Sequence, residues 1–439
     1  MQKVEPKILP GFLELLPADQ IAFNKMKETI RNVYERFGFL PLDTPVLEYA
    51  DVLLAKAGGE TEKQIYRFQK GDADIAMRFD LTVPLARYVA MHQNDLAFPF
   101  KRYQIAKSYR GERPQHGRFR EFYQCDIDVI GSESLDLIYD AEMPAIIYQV
   151  FTELGIGKFT VRINNRKILG GFFEALGLYD KVTDILRIID KMEKVGEGVV
   201  ASELDKLGCD PDSVRKILSF IGITGTNEEK IGALRSLGCE SVSFAEGVNE
   251  LSAVLASLRD FGVPEDYFTV DLTIARGLDY YTGTVYETKL DEYPGLGSIC
   301  SGGRYDNLTG FYTDQRLPGI GVSIGLTRLF SQLKEAGLIA EEKKTVIDVL
   351  VVPMDKESMP CALEAAGTFR AAGLAVDVYY QEKGMKPKMK YANRIGVPFA
   401  AIIGESERAE HKVMLKDMFG SEQDVCSYEE AIQKIKTGR

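Results

Sequence analysis

The first clear pattern of apolar positions along the chain has the spacing of a helix. Residues 18–37 carry apolar side chains at helical intervals, namely Ile21, Met26, Ile30, Val33 and Tyr34. The pattern predicts an α-helix that ends at Gly38. The run FLPLDTPVLEY that follows is typical of a short strand. Because Pro45 within it cannot donate to a central ladder, we expect this strand at a sheet edge or an interface.

The pattern changes twice along the rest of the chain. Strand-like and helical runs alternate up to residue 131, whereas residues 169–262 contain mainly amphipathic helical runs with glycine stops. We interpret 169–262 as an inserted helical domain that splits a first domain formed by residues 1–168 and 263–336. After a polar linker at residues 337–344, β and α runs alternate through residues 345–439, which predicts a small domain with a largely parallel sheet.

Composition narrows the class of protein. The chain has 439 residues, 45% of them hydrophobic and 27% charged, which is ordinary for a soluble protein of two or three domains. It has no apolar run of membrane-spanning length, and its start lacks the features of a signal peptide, so we expect a cytoplasmic protein without a membrane partner. Six scattered cysteines without a CxxC pair and only three histidines argue against a metal site in the protein.

A net charge of −11 gives no global attraction to nucleic acid, so such a partner would have to meet local basic patches. One is a basic stripe near the C-terminus, formed by Lys383, Lys386, Lys388, Lys390 and Arg394. The stripe suits salt-sensitive phosphate contacts. A solvated helix face is the alternative.

Four stretches could carry chemistry. Residues 107–131 contain four clustered arginines, Arg110, Arg113, Arg118 and Arg120, with Glu112 and Glu121 among them. Guanidinium groups bind phosphate oxygens in a bidentate manner, but a solvated hairpin with surface ion pairs would look the same. In GIGVSIGLTRL, glycines precede Arg328, which could reach a terminal phosphate; glycine-rich joins of this kind are often only packing.

The other two stretches place a charge beside apolar or aromatic residues. In MRFDLT, which reads as a strand, Asp80 could hold an ammonium group or pair with Arg78. In RGLDYYTGTVYE, read as one or two strands with a tight bend, Arg276 precedes Tyr280 and Tyr281. That arrangement fits either a structural cation–π cluster or the wall of a site for an anion and a polar ring. The four stretches contain many arginines but no pair of nucleophile and base. This combination favours nucleotidyl or phosphoryl transfer driven by positioning and charge stabilisation.

These stretches, taken in order, resemble the class II aminoacyl-tRNA synthetases and specifically the histidyl-tRNA synthetases. The segment ending at Pro45 resembles class motif 1, YRGERPQHGRFREF motif 2 and GIGVSIGLTRL motif 3, while RGLDYYTG and SGGRYDNL resemble signatures of the histidine-specific enzymes. The resemblance implies an α+β catalytic domain with an antiparallel sheet flanked by helices, the inserted helical domain, and a C-terminal α/β anticodon-binding domain. It also implies a homodimer with motif 1 at the interface.

The resemblance further implies a role for each candidate residue. Arg110 and Arg276 would contact the α-phosphate of ATP, Glu112 the adenine end, and Arg118 and Arg328 the outer phosphates, which the family binds with Mg²⁺. Asp80 and Thr82 would hold the ammonium group of L-histidine, Gln124 would lie along the substrate, and Asp128 with Tyr280 and Tyr281 would read the imidazole. The loop 113–117 would meet the acceptor stem of tRNA(His).

The chemistry of a neutral imidazole fits this reading, because the ring has one N–H donor and one bare nitrogen acceptor. A carboxylate can accept from the first and a tyrosine hydroxyl can donate to the second, so a substrate without this pair leaves both groups unsatisfied. The alternative is the regulatory subunit of ATP phosphoribosyltransferase, which binds histidine as an effector. That subunit typically lacks the C-terminal domain and often the catalytic arginines, which this chain has.

Overall fold

The computed structural model describes residues 3–55, 60–113, 117–189, 191–274, 281–306, 308–339, 344–420 and 422–438. They separate into two compact units, one of Met1–Leu13 and Met26–Leu338, the other of Glu14–Lys25 and Ile339–Arg439. Within the described residues, no helix is long and apolar enough to cross a membrane. The domain boundaries inferred from the sequence stay a prediction.

The elements before the helical segment are α1 (Pro17–Arg36), β1 (Leu40–Pro41), β2 (Leu47–Tyr49), α2 (Ala50–Leu54), α3 (Glu60–Lys63), β3 (Arg67–Lys70), β4 (Ala73–Met77), α4 (Thr82–His92), β5 (Phe100–Tyr109), β6 (Glu121–Ile130), α5 (Ile138–Leu154) and β7 (Phe159–Asn165). The predicted first helix is confirmed. Pro45, however, lies between β1 and β2 rather than inside a strand, because its ring interrupts the extended run. β1 does lie at a sheet edge, as expected.

The helical segment contains α6 (Arg166–Ala175), α7 (Val182–Ile189), α8 (Met192–Val195), α9 (Glu197–Lys206), α10 (Pro211–Ile221), α11 (Asn227–Ser236) and α12 (Val242–Asp260). Side-chain caps fix several helix starts. Asp210 accepts from two backbone N–H groups at the start of α10, and Thr226 forms a capping box with Glu229 at α11. Each cap satisfies backbone donors that the first turn leaves free.

The chain then returns to the sheet through β8 (Phe268–Val270), β9 (Thr284–Leu290), β10 (Ser298–Tyr305) and β11 (Gly319–Ile324), followed by α13 (Leu326–Glu335). In the part of the chain that the structure describes, the main sheet has eight strands in the order β1-β5-β6-β11-β10-β9-β7-β8. Its interior is antiparallel as expected, but the edge pairs β1–β5 and β7–β8 are parallel, which the sequence reasoning missed. A separate antiparallel sheet has the order β2-β4-β3.

The C-terminal residues form β12 (Val349–Pro353), α14 (Met359–Ala371), β13 (Val376–Val378), α15 (Met385–Ile395), β14 (Phe399–Ile403), α16 (Glu405–Glu410), β15 (Lys412–Asp417), β16 (Gln423–Ser427) and α17 (Tyr428–Thr437). Their sheet has the order β13-β12-β14-β15-β16. The first three strands are parallel as predicted, whereas β15 and β16 are antiparallel. The prediction of a largely parallel sheet is therefore only partly correct. The last strands are antiparallel because the connections between them are too short for a parallel crossover.

Candidate active site

Polar side chains line one face of β6, in the centre of the main sheet. Gln124, Asp126 and Asp128 are alternate residues of this strand and so point to the same face. The residues between them, including Cys125 and Ile127, are buried in the core. Burial on both faces holds the three polar side chains on a rigid support.

Asp128 is held by two groups from other strands of the sheet, one on the adjacent strand β5 and one on β10, which lies beyond β11. Nη2 of Arg102, on β5, lies 2.5 Å from Oδ2, and the hydroxyl of Tyr305, on β10, donates to Oδ1 at 2.7 Å. Burial raises the pKa of Asp128, and the Arg102 guanidinium and the Tyr305 hydroxyl oppose that rise. Gly321, on the adjacent strand β11, is directly opposite Asp128 in the ladder. A Cβ atom at Gly321 would lie only 2.1 Å from Oδ1 of Asp128.

Of the two tyrosines predicted beside Asp128, Tyr280 lies outside the described residues and Tyr281 is half-buried. Its ring packs against Gly303, where a Cβ would approach to 2.9 Å. Burial and the nearby carboxylates of Asp128 and Asp126 raise the pKa of Tyr281, which keeps its hydroxyl protonated and able to donate. The structure thus brings Asp128 and Tyr281 together.

Sequence reasoning assigned no role to Arg102 or Tyr305. Tyr305 belongs to the SGGRYDNL signature, so a signal was present without a function attached to it. Arg102 follows Lys101 in the sequence and carries no motif of its own, yet it is fully buried. Only the strand register, which places Arg102 opposite Asp128, reveals its partner.

Asp80 follows β4 in the connection to α4 rather than lying within a strand. Its Oδ1 accepts at 3.0 Å from the backbone N–H of Val83, which lies in the first turn of the helix that starts at Thr82. Burial raises its pKa, which that N–H group and the Arg110 guanidinium oppose. Asp80 does not form the ion pair with Arg78 that was the alternative. Arg78 donates instead to backbone carbonyls of Thr44 and Lys107 and lies 3.6 Å from Asp43.

Next to this polar face is a cavity of about 370 Å³. Its lining includes Arg110, Glu112, Arg118, Gln124, Ser323 and Arg328. Arg110 and Arg328 are 218 positions apart in the sequence, so the tertiary fold brings the predicted phosphate-binding arginines to one place. Arg276 lies outside the described residues, as does the centre of the loop 113–117.

Each arginine of the cavity is anchored by the protein. Nε of Arg110 donates to the carbonyl of Phe79 at 3.0 Å, and its guanidinium lies 5.2 Å from the centre of the Phe122 ring. Nη2 of Arg328 donates to the carbonyl of Leu296 at 2.9 Å. Arg118 is mostly exposed and lies 3.3 Å from Glu112, so the ion pair of the alternative reading does form.

The basic stripe of the C-terminal unit needs one correction. Lys383, Lys390 and Arg394 line a shallow cavity with Tyr380 and Tyr391. Lys386 is exposed nearby.

Lys388 is instead buried, and its ammonium group donates to the carbonyl of Pro353 at 2.6 Å. It points inward because the α15 helix turns that position toward its own sheet, which a linear count of charges cannot show.

Comparison with known proteins gives one consistent result. The family model "Histidyl-tRNA synthetase" matches residues 11–329, and "Anticodon binding domain" matches residues 348–438. A histidine–tRNA ligase of Clostridium tetani is 55% identical and covers 99% of this chain and 98% of its own length.

Two solved structures add to this. A crystal structure of histidyl-tRNA synthetase from Nostoc sp. PCC 7120 has a TM-score of 0.93 at 43% identity, with both chains covered completely. A Bacillus halodurans protein described as an ATP phosphoribosyltransferase regulatory subunit/histidyl-tRNA synthetase has a TM-score of 0.76 at 19% identity, covering 92% of this chain and 99% of its own, and shows a shared fold alone. The family models, the curated relative and the Nostoc structure agree over nearly the whole length, and the chain belongs to the histidyl-tRNA synthetase family.

Proposed function

We propose that this chain activates L-histidine with ATP and transfers the histidyl group to the 3′ end of tRNA(His). The observation that carries the proposal is the cavity in which Arg110 and Arg328 meet, directly beside the polar face that carries Gln124 and Asp128. Phosphate-binding cations and a rigid acid for a polar ring are what the first step needs in one place. The name of the Clostridium tetani relative supports the same reaction.

In the first step a carboxylate oxygen of histidine attacks the α-phosphorus of ATP. An O–P bond forms, the bond between the α-phosphorus and the oxygen that bridges to the β-phosphate breaks, and pyrophosphate leaves. Mg²⁺ that enters with ATP would neutralise charge on its outer phosphates. Arg110 and Arg276 would stabilise the negative charge that grows on the α-phosphate, while Arg118 and Arg328 would hold the outer phosphates. Glu112 would place the adenine end.

The substrate histidine would be read through both ends. Asp128 would accept from the imidazole N–H, and Tyr281 or Tyr280 would donate to the bare nitrogen. Arg102 and Tyr305 support this role, because their contacts favour an ionised, acceptor-only Asp128 despite its burial.

The ammonium group of histidine would lie near Asp80, Thr82 and Gln124. Since one oxygen of Asp80 accepts from the backbone N–H of Val83, its other oxygen would face the substrate.

Transfer of the histidyl group requires tRNA to reach the same site. The loop 113–117 would meet the acceptor stem, and Lys383, Lys390 and Arg394 would contact the tRNA backbone through their cavity in the C-terminal unit. The tyrosines of that cavity could stack on a base. We also propose a homodimer in the cytoplasm; six cysteines without disulfides fit a reducing compartment.

Histidine-dependent exchange of pyrophosphate into ATP, measured without tRNA, tests the proposal. We expect exchange with L-histidine and none with other amino acids. Arg276→Ala should slow exchange by about 10²–10³, the usual effect of losing one donor to transition-state charge. A slowdown below threefold would remove Arg276 from the mechanism, and an absence of exchange with any amino acid would favour the regulatory-subunit alternative.

A further inference from the structure

Three polar side chains form a hydrogen-bonded chain beside the cavity. The hydroxyl of Ser323, on β11, donates to Oδ1 of Asp126 at 2.5 Å, and Nε2 of Gln124 donates to Oγ of Ser323 at 3.0 Å. Asp126 and Ser323 are directly opposite each other in the β6–β11 ladder. Asp126 is only 3% exposed, so solvent does not compete for its oxygens.

The carbonyl oxygen of the Gln124 amide, unlike its NH₂ group, is not part of this hydrogen-bonded chain. Its Oε1 atom is buried and has no hydrogen-bond partner among the residues that the structure describes. Gln124 lines the cavity proposed to receive ATP and histidine. Because a buried carbonyl oxygen without a partner is costly, such an atom beside a substrate cavity points to a donor supplied by the substrate.

The order of donors along this chain decides which way the amide faces. An ionised carboxylate can only accept, so the single proton of the Ser323 hydroxyl is used on Asp126. Ser323 can then offer only lone pairs to Gln124, which must turn its NH₂ group toward the serine. The carbonyl oxygen is left on the opposite side. Without Asp126 and Ser323, nothing in this chain of hydrogen bonds would decide whether the NH₂ group or the carbonyl oxygen of Gln124 faces the cavity.

We propose that Ser323 and Asp126 are positioning residues that orient the amide of Gln124, so that its carbonyl oxygen and not its NH₂ group meets the ammonium group of the bound histidine. The inference rests on the proposed function and adds to it. A reversed amide would place two N–H donors against a cation, exchanging an attractive contact for a repulsive one. The three residues would therefore favour amino acids over analogues that lack the ammonium group.

Orientation in this direction requires an ionised Asp126. Burial opposes ionisation and raises the pKa of Asp126 to about 7, whereas the Arg102 guanidinium and the Ser323 hydroxyl favour the ionised form. Among the described residues, the other titratable groups whose charges act on Asp126 or respond to it include Asp128, Asp80, Tyr34, Tyr281, Cys125 and Cys300. The incoming ammonium group adds a positive charge nearby, so substrate binding and the ionised relay stabilise each other.

The test compares ligands with and without an ammonium group. For Ser323→Ala, we expect the KM for histidine in pyrophosphate exchange and the inhibition constant of histidinol, which keeps the ammonium group, to rise about 10-fold. The inhibition constant of imidazole-4-propionate, which lacks that group, and the kcat should stay within about threefold. Ser323→Thr, which keeps the hydroxyl, should restore the histidine KM.

Thr160→Ala is the matched control, because it removes a hydroxyl that donates to a carboxylate, Asp291, at 2.8 Å in the same sheet but outside the cavity. It should leave all four values unchanged. The inference is overturned if Ser323→Ala leaves the histidine KM within twofold of wild type, or if it weakens imidazole-4-propionate as much as histidinol. A wild-type enzyme without histidine-dependent exchange would instead refute the proposed function itself, and the inference with it.

Discussion

The substitution Gly321→Ala tests whether the position of Asp128 controls recognition of histidine. The new Cβ atom would lie 2.1 Å from Oδ1 and 2.6 Å from Cγ of Asp128, whereas ordinary contact begins near 3.4 Å. It would also lie 2.7 Å from the carbonyl of Ile127, so the strand backbone limits how far alanine itself can retreat. The carboxylate must therefore move by more than an ångström.

The size of the effect follows from what that movement breaks. Asp128 accepts from Tyr305 at 2.7 Å and pairs with Arg102 at 2.5 Å, and a shift of an ångström lengthens both contacts beyond good hydrogen-bond geometry. Each hydrogen bond to a charged group contributes about 1.5–3 kcal/mol, so the loss of both contacts is expected to lower stability by about 3–6 kcal/mol. A misplacement of this size at a reacting or binding group costs about 10²-fold, which we expect in kcat/KM for histidine.

Pyrophosphate exchange at several histidine concentrations and thermal unfolding measure the two effects. Gly170→Ala is the control, because a Cβ at Gly170 of α6 meets nothing within 4 Å, and it should change neither quantity by much. If Gly321→Ala keeps kcat/KM for histidine within threefold of wild type, then either Asp128 tolerates displacement or it does not read the imidazole. In both cases the position of Asp128 would not control recognition of histidine.

Three further predictions concern charge. Asp126 has a folded pKa of about 7 against 3.8 for the free group, so the folded state holds its proton more tightly, and stability falls as pH rises through this window. Asp126→Asn should therefore gain stability over wild type by up to about 1.4 kcal/mol per pH unit there, and parallel denaturation curves across pH would contradict this. Arg304→Met should lower the unfolding free energy by about 3–5 kcal/mol, because the fully buried Asp140 would lose the Arg304 Nε group that donates to it at 3.0 Å. An unchanged melting temperature would count against a structural role for Arg304. Lys390→Ala should weaken tRNA binding and reduce the slope of log affinity against log salt concentration by about 1. Lys388→Ala should instead lower the stability of the protein and change that slope little. Equal slopes in wild type and both variants would show that the cavity makes no phosphate contact.

Local patterns were sufficient to predict many elements. The spacing of apolar residues predicted the first helix, which runs from Pro17 to Arg36, because one turn of a helix repeats within four positions of sequence. The same pattern misplaced Pro45 and Asp80 in strands, since short apolar runs look alike whether they are extended or lead into a helix. The parallel edge pairs of the main sheet were also missed, because strand order is not encoded in local periodicity.

The candidate site divides in the same way. Arg110, Gln124, Asp128 and Arg328 were found as residue types in suggestive motifs, because phosphate and imidazole require cations and a carboxylate that a sequence displays openly. Their convergence on one cavity and one sheet face was an expectation until the register was known.

The hydrogen-bond partners of these residues were revealed only by the tertiary structure. Tyr305 lies 177 positions from Asp128, and Ser323 lies 199 positions from Gln124, yet each pair is joined by a hydrogen bond. Arg102 and Asp126 are ordinary charged residues in the sequence and fully or nearly buried in the fold. The amino-acid sequence alone determined the chemical groups and the periodic elements, because both are local properties. The pairing of distant strands decided which group faces which, because contact between them exists only after the sheet has assembled.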